Sequence, residues 1–390
     1  MKKVLFITCR FPFPPLKGDQ FRTNNFLRFF SGNYLIDILT FIDKGINKGK
    51  LGDIKSYTQN IYSFGHDFIN KILALRLFYK LLPLQVLLFY NRHYINFLKK
   101  HAHEYEYIYL STLRLGYLLP YLPLQKTIVD YIDSLSLNMR RRSFTERNIL
   151  LKIICKIESL LMQRYEKKIA RCYPYVLISS DQDQQYINSP RLKLVPLGID
   201  MYLFNRDKVQ PRQEQIDILF YGNMRYYPNQ DAVIYFIENV YTKFIRLSEL
   251  SFYIVGVNPP SIIQKYTQHK NIYVTGYVED VKPYLKKAKV VIAPMVSGSG
   301  NQFKIIEAMA MECAVITSEI GNKGLHAKEE KEIMIARSPE EWNRLIEKLL
   351  SDSTLATAVG KQARVFIEQN YSFENFSKIV HSIFDKNPSN

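Results

Sequence analysis

Residues 289–310 read KVVIAPMVSGSGNQFKIIEAMA. KVVIAP is continuous and apolar, as a strand covered on both faces is, whereas NQFKIIEAMA has the spacing and composition of a helix. The segment between them joins the carboxyl end of a strand to the amino end of a helix. That junction presents backbone N–H groups and the positive end of a helix dipole, and Gly298 and Gly300 permit close approach of an anion such as phosphate. Lys304 and Glu307 lie three apart and share a helix face, so a diphosphate and a ribose could meet a cation and a carboxylate one turn apart. The segment alone fits equally well an i,i+3 surface ion pair at the start of an ordinary helix.

Outward from this stretch, short apolar runs alternate with longer helical patterns, the sequence form of an α/β protein with parallel sheets. KVLFIT, YLIDILTF, YIYLS, KTIVDYID and YVLISS read as buried strands, with helices such as Phe21 to Phe30 and Glu146 to Arg171 between them. After the polar, proline-containing NRDKVQPRQEQ a second series begins: IDILFYG, LSFYIVG, NIYVTG, KVVIAP and AVITS. Two α/β series imply two domains facing each other across a cleft, where open parallel sheets bind ligands. The expected division is 1–204 and 205–370, with residues 371–390 as a helix returning to the first domain. Ser338 followed by Glu341 is a helix-capping pattern at the head of the carboxyl-terminal helices.

The 390 residues carry a net charge of +17, very unevenly placed. Up to residue 195 there are 30 Lys and Arg against 14 Asp and Glu; beyond it, 23 against 22. Such asymmetry suggests a polyanionic partner for the first half: an anionic membrane surface, a phosphorylated substrate or a nucleic acid. Cys9, Cys155, Cys172 and Cys313 show neither C-x-x-C nor zinc spacing, which fits a reducing, cytoplasmic compartment. The apolar run of MKKVLFITCRF is too short for a signal peptide and is cut by Arg10, so it reads as a first strand. FINKILALRLFYKLLPLQVLLFYNRHYINFLKK is interrupted by Lys71, Arg76, Lys80, Pro83 and Arg92, unlike a membrane-spanning helix; its basic, aromatic mixture could lie on a membrane surface or be two core helices with solvated faces.

LFYGNMRYYPNQDAVIYF, VTGYVEDVKPYLKKAKVVIAPMVSGSGNQFKIIEAMA and AVITSEIGNKGL follow one another in the order and spacing of the donor domain of glycosyltransferase family four. The chain resembles that family closely from VPLGIDMYLF to GNKGL and more loosely over RFPFPPLKGDQFRTNNFL, DYIDSLS and YEKKIARCYPYVLISSDQ. The resemblance implies a GT-B fold of two Rossmann-like domains, an acceptor bound mainly by the first and a nucleoside diphosphate sugar by the second. It also implies a retaining transfer that needs neither metal nor cofactor. Lys304 would then hold the diphosphate, the Asn301 and Gln302 amides would cap a phosphate, and Glu307 would bind the ribose. Gly222 would let the donor approach, with Arg225 as a further phosphate partner. Ser299 stands where many members have a sugar-contacting Glu, while Glu312, Ala314 and Leu197 replace a usual Gly, Pro and Asn.

Many members have a histidine near the end of a first-domain strand; DYIDSLS offers Asp130 and Asp133 there, as acceptor-orienting or charge-stabilising carboxylates or as turn caps. Lys17 and Gly18 follow the first strand, where this fold brings a loop to phosphate or acceptor; a plain turn reads as well. Asp181 to Asp183 form DQD, which resembles a metal-binding D-x-D signature but is better read as a helix cap after Ser180, and HAH reads as surface. No metal site is expected. NMRRRSF and RNILLKIICKIESLLMQRYEKKIARC make a basic, partly amphipathic segment suited to a lipid-linked diphosphate or an anionic lipid surface. The expected protein is a cytoplasmic glycosyltransferase, peripheral on the inner face of the membrane if the basic segment binds lipid, acting on a saccharide or lipid-linked saccharide in cell-surface polysaccharide assembly. A nucleotide-sugar 2-epimerase on the same fold, a donor-binding homologue without activity, and a basic nucleic-acid-binding protein are the alternatives. No RNA-binding, helix-turn-helix or zinc pattern accompanies the charge, so nucleic acid is not the expected partner.

Overall fold

A computed structural model describes residues 2–15, 18–41, 58–65, 82–146, 148–297 and 302–385. The chain divides into two units, Met1–Leu197 with Ser377–Asn390, and Gly198–Phe376. In the first, the described strands are β1 (Lys2–Thr8), β2 (Tyr34–Phe41), β3 (Asn60–Phe64), β4 (Tyr107–Ser111), β5 (Thr127–Asp130), β6 (Tyr175–Ile178) and β7 (Leu192–Leu194). They lie in the order β3-β2-β1-β4-β5-β6-β7, every pair parallel. The second unit has β8 (Ile216–Tyr221), β9 (Phe252–Val255), β10 (Ile272–Gly276), β11 (Ala288–Ala293), β12 (Val315–Thr317) and β13 (Met334–Ile335), in the order β10-β9-β8-β11-β12-β13 and again all parallel.

Every run expected to be a strand is one. β5, β6 and β8 are buried along their whole length and β4 almost so, as strands covered on both faces must be. The sequence reading missed β3, β7 and β13: β3 and β7 are edge strands with exposed positions, and β13 is two residues long. Helices α2 (Arg92–His101) and α3 (Leu135–Thr145) precede α4 (Ile149–Cys172), which is the helix expected from Glu146 to Arg171 and starts where the Asn148 side chain accepts the Leu151 N–H at 3.1 Å.

The junction between the units falls before the expected residue 205. Ile199 donates its N–H to Tyr371 O at 2.6 Å and accepts from Phe373 N at 2.9 Å, which ties this residue to the second unit. The last helix, Phe373–Asp385, runs from one unit into the other; its Phe384 ring packs on Tyr107 and Tyr175 of the first unit, with centroids 5.5 and 5.2 Å apart.

Both orders reverse direction once, between β1 and β4 and between β8 and β11. At such a switch point neighbouring crossovers leave in opposite directions, opening a crevice outside the strand carboxyl ends. Helix α1 (Gly18–Ser31) follows β1 and supplies the first unit's central fastening. Arg22, wholly buried, donates from Nε to Asp130 Oδ2 at 2.7 Å and from Nη2 to Oδ1 at 3.3 Å, and its Nη1 donates to the Val195 and Pro196 carbonyls. Tyr109 donates its hydroxyl to the same carboxylate at 2.6 Å, so one ion pair joins α1, β4, β5 and the segment leaving β7. Removing one member of a buried, fully bonded pair strands the other, which costs about 3–5 kcal/mol. Arg22→Met is expected to lose that much stability in chemical denaturation of the whole chain; a loss below about 1 kcal/mol would refute this assignment.

Candidate active site

The site builds from the end of β8, beside the switch point of the second sheet. Gly222 leaves β8 with φ at +157°, and a Cβ there would lie 2.8 Å from Asn229 Nδ2. Gly256 after β9 comes so near that its Cβ would meet Gly222 O at 1.8 Å. Only glycine allows these strand ends and the following helix to close up. That helix, α5 (Tyr227–Phe236), buries Asn229 in its first turn, where Nδ2 donates to Asn223 O at 2.9 Å.

Asn229 thereby turns its Oδ1 toward Lys304 on the helix Phe303–Ala310, α6, and accepts from Nζ at 2.5 Å. The same ammonium lies 3.4 Å from Met295 Sδ and 5.2 Å from the centre of the Phe220 ring. Among the described residues, Asn229 supplies its only hydrogen-bonding oxygen. Burial draws the Lys304 pKa down from 10.5 to about 7, against the attraction of Glu307. Tyr221, the last residue of β8, pins α6 by donating to Lys304 O and, at 3.2 Å, to Glu307 Oε2. Burial pushes the Glu307 carboxyl from 4.5 up to about 7, opposed by the Tyr221 hydrogen bond and the charges of Lys282 and Lys304. A cation and a carboxylate, both poised near neutrality at a helix amino terminus, suit a diphosphate and a vicinal diol.

Gln302 is the residue before α6 and is buried. The expected phosphate cradle of Gly298, Ser299, Gly300 and Asn301 lies outside the described residues, as does Lys17. Ser297, at the near end of the cradle, donates to Asp231 Oδ2 on α5 at 3.3 Å. Arg225 is exposed on the turn after Gly222, its N–H held by Asn223 Oδ1 at 2.9 Å. The structure thus brings Gly222, Lys304 and Glu307 together and leaves Arg225 at the surface. Sequence reading missed Asn229, Tyr221 and Met295; an asparagine on the apolar side of the helix after the first strand of the second series was the one signal for Asn229.

In the first unit, Gly18 opens α1, and Asp19 beside it pairs with Arg10 at 2.5 Å. Thr8, Cys9, Arg10, Asp19, Thr23 and Ser111 line a small opening at the β1/β4 switch point. Asp133 sits in the turn after β5, accepting from Asn138 Nδ2 at 2.7 Å, and its pKa is raised by burial against the attraction of Arg114. Asp130 is corrected as a catalytic candidate: both its oxygens are committed to Arg22, Tyr109 and the Ile132 N–H, and none of its side chain is exposed. In DQD, Ser180 caps the following helix at Asp183 N. His101 of HAH pairs with Glu104 at 2.7 Å. Among the described residues no group of His, Cys, Asp and Glu is arranged to hold a metal ion.

The Lys304 shift sets a sign for stability. Between about 7 and 10.5 the unfolded chain holds a proton on this amine that the folded chain has shed, so the cost of burying it declines as pH rises through that window. Lys304→Met is therefore expected to be more stable than wild type below pH 7, by about 2–4 kcal/mol, with the gap closing toward pH 10. Denaturation at several pH values measures it; a gap independent of pH would refute the buried-ammonium assignment.

Residues 215–352 match the sequence model of the family described as Glycosyl transferases group 1. A Klebsiella pneumoniae protein described as "Uncharacterized 44.6 kDa protein in cps region" is 21% identical over 406 aligned positions, covering 99% of this chain and all of that one. The Anabaena protein Alr3699/HepE, crystallised with UDP and glucose, superposes with a TM-score of 0.70 at 13% identity, covering 99% of this chain and 100% of the other. WaaG, a glycosyltransferase involved in lipopolysaccharide biosynthesis, superposes with a TM-score of 0.65 at 14% identity, covering 97% of this chain and 99% of its own. Both superpositions span the two Rossmann-like parallel sheets, the GT-B architecture. Residues 215–352, which hold Gly222, Asn229, Lys304 and Glu307, are thus a domain of the glycosyl transferases group 1 family, carried in a chain of the GT-B fold.

Proposed function

We propose that this protein is a cytoplasmic, retaining glycosyltransferase that moves a sugar from a nucleoside diphosphate sugar to a saccharide or lipid-linked saccharide in cell-surface polysaccharide assembly. The observation carrying the donor half is the buried Lys304 ammonium, turned toward the end of β8 by Asn229 and followed one helical turn later by Glu307. In this reading Lys304 stands against the diphosphate, where charge gathers as the bond from the anomeric carbon to the leaving oxygen breaks, and supplies the stabilisation otherwise left to a metal. The Asn301 and Gln302 amides cap a phosphate, Glu307 accepts hydrogen bonds from the ribose hydroxyls, and Gly222 leaves room for the sugar. Asp133 orients the acceptor hydroxyl. The similarity to a protein crystallised with UDP and glucose supports the donor class, and that to a lipopolysaccharide glycosyltransferase supports the pathway class. For the first half, the reading extends to an anionic membrane surface, supported by 30 basic against 14 acidic residues.

Thermal-shift measurements against UDP-, GDP-, ADP- and TDP-sugars test the donor site. One of them is expected to raise the melting temperature of wild type, and Lys304→Ala to weaken that donor by about 10–100-fold. An unchanged response in Lys304→Ala, or no response to any donor, would remove the assignment. With the donor known, Asp133→Asn is expected to lower kcat by about 10²-fold or more while the donor-induced shift stays as in wild type; full activity in that variant excludes the role given to Asp133.

A further inference from the structure

We propose that the outer face of α4 docks on an anionic lipid bilayer. The inner face of this helix is already satisfied: Met162 and Ile169 are buried in the first unit's core. On the other side, Ile149, Ile153, Ile157 and Leu160 follow the i, i+4, i+8, i+11 spacing of a single helical line, and each is between 50% and 73% exposed. Leu150 and Ile154 widen the line into a face. A surface helix of a soluble protein turns its apolar stripe inward, so a second, outward stripe about 16 Å long requires a partner.

The rest of the helix identifies that partner. Continuing along the same line come Arg164, Lys168 and Arg171, all exposed, and Lys152 and Lys156 border the apolar half. Among the described residues none of these five pairs with a carboxylate. The only acids of α4, Glu158 and Glu166, are both turned inward: Glu158 accepts the Leu84 and Gln85 N–H groups at 2.9 Å each, and Glu166 accepts from Ser136 N at 3.0 Å. The outer face is therefore apolar and cationic, without a compensating anion.

An anionic bilayer answers both features, since acyl chains take the isoleucines and headgroups take the lysines and arginines. A nucleic acid would leave the isoleucines wet, and a second copy would set cations against cations. Among the described residues no helix is long and apolar enough to cross a membrane, and the polar inner contacts of α4 suit a helix lying in the interface plane. This deepens the membrane part of the proposed function and rests on the first unit alone, independent of the donor site.

Cosedimentation of the full chain with phosphatidylglycerol-containing vesicles, against pure phosphatidylcholine, tests it. Wild type is expected to bind the anionic vesicles at low salt and to be released at high salt. Ile153→Ser with Ile157→Ser is expected to weaken binding on the order of a hundredfold, and Arg164→Glu with Lys168→Glu about tenfold or more. All four positions are exposed, so unchanged melting temperatures are expected and check folding. Absence of binding at low salt, or wild-type binding by the isoleucine variant, overturns the proposal. A wild-type dimer that the isoleucine variant dissolves, without vesicle binding, gives the face to a second copy and overturns it too. The donor-induced thermal shift on the same samples reports the second unit separately, so failure of one assignment is distinguishable from failure of the other.

Discussion

A lysine ammonium held away from water by Phe220, Met295 and Asn229 is the feature around which the second unit's site is arranged. Keeping a charge there is unfavourable, and the fold tolerates it because every neighbour is placed by the sheet. Gly222 and Gly256 let the ends of β8 and β9 close up, Asn229 points its amide oxygen from the first turn of α5, and Tyr221 fastens α6 at the right height. The lowered affinity of Lys304 for its proton and the raised affinity of Glu307 have one cause, scarcity of water at the strand ends. An arriving diphosphate would restore the lysine's charge, so binding energy and protonation are linked at this position.

The first unit handles buried charge in the opposite way. Arg22 and Asp130 are as deeply placed as Lys304, but each meets a full set of partners, so the pair closes on itself and carries structure rather than chemistry. Asp133, three residues later, lies outside that closure in the turn beyond β5 and accepts from Asn138 instead. Two carboxylates of one short motif thus have different fates, set by which of them faces α1.

Part of the excess of positive charge in the first half lies on α4. Two buried glutamates bind backbone amides and hydroxyls, leaving the outward side of the helix with isoleucines, leucines, lysines and arginines but no carboxylate. An enzyme whose acceptor carries a lipid would gain from such a face, since a surface-bound enzyme meets a membrane-held substrate in two dimensions.

Much of this was legible in the chain. Buried parallel strands are continuous apolar runs and helices have their own period, both local properties, so the two α/β series, the strand-to-helix junction and the pairing of Lys304 with Glu307 on one helix face could be read directly. Short edge strands such as β3 and β7, interrupted by exposed positions, carry no such run and were invisible. So were partners distant in sequence: nothing local connects Asn229 to Lys304, Tyr221 to Glu307, or Arg22 to Asp130. The same distance explains why Asp130 and Asp133 could not be told apart beforehand. A residue's type and spacing state what it is able to do; whether its charge is neutralised, exposed or left poised depends on which elements the sheet order sets beside it, and that is settled only when the chain closes.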